Sequence, residues 1–153
     1  MEGVKMTLDT KVQPNLLTRW RDIDGYDKSV DAIVLHADEG SVKDKYIDIP
    51  NPVVGDVYTI SFDAWGSTKN NSITTHCIPL RLKDIIACAE GGKKKSDNGH
   101  VDWNNLSQKS KRYFTTYRLV ERANTFIIRG QPGTTYIRNI KLEKSPYPTD
   151  YEE

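Results

Sequence analysis

The chain has 153 residues, 37% hydrophobic and 28% charged, which describes one globular domain and excludes both a disordered chain and a membrane-spanning one. Its 22 basic and 21 acidic side chains leave a formal charge of +1, so no global field draws it to nucleic acid or an anionic membrane. No apolar run nears the roughly 20 residues that a bilayer span needs, so neither nucleic-acid binding nor membrane insertion is expected.

The first residues, MEGVKMTLDT, lack the charged, apolar and small-residue regions of a secretory leader, and export by that route is not expected. Residues 1–14 read as an N-terminal arm or extra strand outside the main pattern. An acidic cluster follows, Asp22-Ile-Asp-Gly-Tyr-Asp27. It is not an EF-hand loop, because Ile33 stands twelfth from Asp22, where that loop needs Glu.

Strands are expected over residues 31–36, 45–49 and 57–65. The last is the clearest: Tyr58, Ile60, Phe62 and Ala64 share one face, while Thr59, Ser61 and Asp63 share the other. Trp65 ends it on the polar face. Further β-branched and aromatic runs cover 72–78, 113–120, 125–129 and 134–143, each bounded by turn formers. Leu80–Glu90 reads equally as a strand or as a short helix ended by Gly91-Gly92. Residues 90–111 form the longest break, an ordered excursion or flexible surface loop carrying Lys93-Lys-Lys95 and Asp102-Trp-Asn-Asn105.

In the closing run, Ile140 and Leu142 can enter the core, while Lys141 and Glu143 are expected to face water. Pro146 and Pro148 then end pairing, since proline has no N–H to give a ladder. Seven or more short strands without an alternating helical pattern predict an all-β, antiparallel two-sheet sandwich. Cys77 and Cys88, with ten residues between them, read as free thiols rather than a disulfide scaffold or metal site. His36, His76 and His100 show no ligand spacing, and the three-lysine run reads as a solvated loop tip. No zinc motif, phosphate loop, nucleophile elbow or catalytic carboxylate pair stands out, so no enzymatic activity is expected.

The ending Tyr136-Ile-Arg-Asn-Ile-Lys-Leu-Glu-Lys144, followed by Thr149-Asp-Tyr151, resembles the last strand and tail of jelly-roll modules of phage tail and other virion proteins, related to carbohydrate-binding modules. Asn15-Leu-Leu17 is similar to their opening, and Gly55–Ser67 to a strand-and-loop segment within them. The resemblance spans Asn15–Tyr151 and implies jelly-roll topology, with residues 15–145 as the β-sandwich and 146–153 as a C-terminal tail.

Carbohydrate-binding members of this group stack sugar rings on exposed aromatics flanked by polar groups. The matching candidates are Trp65, Trp103 and Tyr117 with Asp102 and Asn104, alongside Trp20 and Tyr113. The alternative is that each aromatic caps the core or meets another subunit. The group also implies a structural Ca²⁺, for which Asp22, Asp24 and Asp27 are the candidate ligands, although Arg138 stands where calcium-binding relatives carry an acid. The functional expectation is a non-enzymatic virion structural or accessory protein, a capsid or tail decoration or attachment module, assembled in the host cytoplasm. Its partners would be other virion proteins and host-surface carbohydrate. The alternative is a dedicated carbohydrate-binding protein, or a module of a glycan-degrading system.

Overall fold

The computed structural model describes residues 13–17, 19–68, 70–95 and 97–153. Most of the expected arm, residues 1–12, therefore lies outside the described residues. Among the described residues, eleven strands follow one another: β1 (Tyr26–Asp27), β2 (Ala32–Ala37), β3 (Lys43–Asp48), β4 (Val57–Gly66), β5 (Ile73–His76), β6 (Ile85–Cys88), β7 (Lys93–Lys95), β8 (His100–Trp103), β9 (Lys111–Arg118), β10 (Thr125–Gly130) and β11 (Gly133–Glu143). All pairings are antiparallel.

The sheets have the orders β1-β2-β11-β4-β9-β6 and β3-β10-β5-β8-β7. From β2 to β5, and again from β8 to β11, each connection crosses from one sheet to the other. Each sheet thereby interleaves early with late strands, which is jelly-roll topology. The all-β sandwich read from the sequence is the observed architecture. Leu80–Glu90 resolves into a 3₁₀ turn at Leu82–Asp84 and strand β6.

The long break between residues 90 and 111 is not a loose loop, since it contains the β7–β8 hairpin. Val101 and Trp103 alternate inward, and β8 pairs with β5 in the five-stranded sheet.

Burial follows the pleat. Tyr58, Ile60, Phe62 and Ala64 of β4 face Ile47, Ile73, Val101, Phe126 and Ile128 from the other sheet. The Tyr117 and Phe126 rings stack between the sheets, with centroids 5.2 Å apart. A bulge in β11, with Asn139 at φ 53°, turns both Ile137 and Ile140 inward. Asn15 clips beside it: its side chain donates to Ile140 O at 3.0 Å and accepts from Leu142 N at 2.9 Å.

One expectation fails on this strand. Lys141 and Glu143 do point away from the core, but they are 1% and 0% exposed. The tail after Pro146 folds back across the outer face of the six-stranded sheet and covers them. Lys141 Nζ donates to Thr149 Oγ1 and Asp150 O at 2.8 and 2.7 Å, and Thr149 Oγ1 donates to Glu143 at 2.6 Å. Further along, Trp20 Nε1 donates to the Tyr151 hydroxyl, and Arg21 pairs with Glu153 at 3.0 Å.

Candidate functional site

With one outer face strapped by the tail, the other sheet presents an open cleft. It occupies about 680 Å³ at one end of the five-stranded sheet. Thr74 on β5 and Asp102 on β8 are register partners and both point outward, forming its floor. Ser72, Asn104 and Gln131 continue that floor toward the loops, with Glu39, Thr68 and Asn70 on the rim and Lys95 reaching in from β7.

Four of these groups form a connected chain, and two more form a separate pair. Gln131 Nε2 donates to Thr74 Oγ1 at 3.4 Å, and Thr74 Oγ1 donates to Asp102 at 2.7 Å. Lys95 Nζ lies 2.7 Å from the other Asp102 oxygen, and Ser72 donates to Asn104 at 3.2 Å. Burial pushes the Asp102 carboxyl upward, but its bonds from Lys95 and Thr74 outweigh that and hold it below the usual carboxylate range. Beside the cleft, Arg129 grips Asp44 with two bonds of 2.7 and 3.0 Å.

Asn71, fully buried, joins two cleft walls. Its side chain accepts from Thr68 N at 2.8 Å and donates to Pro132 O at 3.2 Å, tying the β4–β5 loop to the β10–β11 turn. Nothing in the local sequence marks it as the link, because its partners across the cleft, Pro132 and Thr135, are more than 60 residues away.

The candidate binding residues separate. Asp102 and Asn104 line the cleft, whereas Trp103 between them points into the core and is 3% exposed. Its indole donates to Ala89 O at 3.3 Å. Tyr117 is fully buried and donates to Gly99 O at 2.8 Å. Trp65 lies on the opposite sheet, stacked on Tyr136 at 5.1 Å with the Arg138 guanidinium 4.8 Å from its ring centroid. Trp20 is a core residue, and Tyr113 packs edge-on against Trp103.

The acidic residues near β1 take separate partners. Asp22 pairs with Arg19 at 3.2 Å, Asp24 lies 3.6 Å from Lys45 Nζ, and Asp27 accepts from Ser29 N and Oγ. The Lys45 ammonium packs over Gly25, so a cation already stands within this turn. The three carboxylates do not fit a calcium cage, and among the described residues no group of three or more His, Cys, Asp or Glu could hold a metal. Cys77 and Cys88 are free, and burial pushes the Cys77 thiol up to about 12. His76 and His100, far apart in sequence, meet edge-on with ring centroids 4.3 Å apart on the face that carries the cleft.

No family model and no curated protein matches the chain. Among solved structures, a carbohydrate-binding module, CBM4, aligns at 18% identity with a TM-score of 0.50, covering 79% of this chain and 76% of that one. The likeness is one of fold. The enzymatically active domain of bacteriophage CBA120 tailspike protein 4 aligns at 15% identity and TM-score 0.47, and TmCBM61 in complex with β-1,4-galactotriose at 14% and 0.33. The tailspike alignment covers 73% of this chain but 15% of the tailspike chain, and the other covers 74% and 70%. Among the described residues, no helix is long and apolar enough to cross a membrane.

Proposed function

We propose that the protein is a non-enzymatic, glycan-contacting module that serves as an accessory or attachment protein on a bacteriophage particle. The glycan reading rests on the cleft, where amides, hydroxyls and carboxylates converge on one face of a sheet. Sugar hydroxyls both donate and accept, and Asn104, Gln131, Thr68 and Asn70 offer both roles. Asp102 is tied to Lys95 and Thr74 and stays ionised, which suits a fixed acceptor rather than a general acid. No described residue lining the cleft is aromatic, so recognition is edge-on and weak per copy. Display of several copies on a particle would raise it through avidity.

The virion setting is supported by the resemblance of Tyr136–Tyr151 to virion jelly-roll tails. Other capsid or tail proteins would then be its partners, and the particle its location after assembly in the host cytoplasm. Two experiments separate these claims. Binding to immobilised bacterial surface glycans should be abolished by Asp102→Ala together with Asn104→Ala; full retention would refute the cleft reading. Co-purification with intact particles is expected for the attachment role, and absence from them would remove it.

A further inference from the structure

Among the described residues, the cleft is lined by two carboxylates, Glu39 and Asp102, and one ammonium, that of Lys95. That ammonium is already committed, 2.7 Å from an Asp102 oxygen. The neighbouring cation, Arg129, is likewise held by both oxygens of Asp44. Each of these two described cations already has a carboxylate partner.

The Asp102 side chain is only 16% exposed, whereas that of Lys95 is 60% exposed. A ligand carboxylate that shared Lys95 would compete with a largely desolvated partner and weaken the compensation of the Asp102 charge. The carboxylate would also meet Glu39 on the rim. A neutral sugar faces neither cost: its hydroxyls can donate to Glu39 and to the free carbonyl oxygen of Gln131, and accept from the Asn104 amide.

Resting on the glycan reading above, we infer that the cleft selects uncharged, hydroxyl-rich glycans and rejects acidic ones, with the Lys95–Asp102 pair as the specificity determinant. Lys93 and Lys94 stand exposed on the edge strand outside the cleft lining. They attract polyanions to the rim only through a screened surface charge.

The test is calorimetric titration at physiological salt with neutral oligosaccharides, such as galacto- and gluco-oligomers, and acidic ones, such as oligogalacturonate and oligosialate. Wild-type protein should bind at least one neutral series and prefer it over every acidic one by at least about tenfold. Asp102→Asn should narrow that preference by freeing Lys95, and Lys95→Gln should not create acidic binding. Thermal melts confirm that each variant is folded, and the wild-type ranking needs no variant. Acidic ligands bound as well as or better than neutral ones, or a selectivity unmoved by Asp102→Asn, would overturn the inference while leaving glycan binding intact. Binding of no glycan from either series would sink the glycan reading and this inference with it.

Discussion

The side-chain amide nitrogen of Asn71 lies 2.5 Å from where a Cβ on Gly133 would stand. Gly133 also holds φ at +106°, a conformation that other residues seldom adopt. Gly133→Ala should therefore both displace Asn71 and strain the turn, at a cost of at least about 2 kcal/mol. Urea unfolding measures the loss. Because Asn71 joins the β4–β5 loop to the β10–β11 turn, glycan affinity should fall in the same variant; unchanged stability would mean that this close approach carries no strain.

The tail makes a second prediction. Thr149 accepts from Lys141, donates to Glu143 and accepts from Gln13 N at 3.1 Å. Burial drives the Lys141 ammonium toward a lower pKa, so its partners matter to its charge. Thr149→Val keeps the shape and removes these bonds, and should lower stability by about 2 kcal/mol. Equal unfolding midpoints for variant and wild type would show that the tail lies on the sheet without holding it.

The two tryptophans that stand out in the sequence should differ in how much they contribute to stability. Trp103→Ala empties a core site and should cost about 3–5 kcal/mol. Trp65→Ala loses stacking with Tyr136 and Arg138 at a partly exposed position, and should cost about 1 kcal/mol. Trp65→Ala should bind glycan as wild type does, since it lies on the other sheet. Thermal denaturation and affinity electrophoresis read both effects, and lost glycan binding in a folded Trp65→Ala protein would relocate the site.

Much of the sandwich was legible because a strand with one buried face announces itself, as Tyr58 to Ala64 do. β8 did not announce itself, being four residues with outward His100 and Asp102 between inward Val101 and Trp103. That period-two run reads as a loop beside three lysines and two asparagines. The exposure of Lys141 and Glu143 was misread for another reason: alternation says which face a side chain takes, not whether a distant tail covers it. Asp102 and Asn104 were found, but as neighbours of Trp103. What makes them a site is register with Thr74 and Ser72 across a sheet, together with Gln131 and Glu39 from other loops, and no local spacing encodes that.

His76 supplies a pH prediction. It is 2% exposed, and neither ring nitrogen has a hydrogen-bond partner. Burial, with His100 and Arg129 nearby, lowers its pKa from 6.5 to about 4, against the opposing pull of Asp44 and Asp102. Between those values the unfolded chain binds the proton and the native one does not, so stability falls as pH drops from 6.5 to about 4 and levels off below. The contribution is up to about 3 kcal/mol. His76→Leu should flatten that part of the stability–pH curve, measured by urea unfolding; an unaltered slope would show that His76 does not titrate across this window.

The central claim is that ligand meets the outer face of the five-stranded sheet. Titration of isotope-labelled protein with a bound oligosaccharide, followed by backbone amide NMR shifts, tests it most directly. Shifts are expected to concentrate at Ser72, Thr74, Asp102, Asn104 and Gln131. Shifts concentrated instead at Trp65, Tyr136 and Arg138, with the cleft silent, would contradict it.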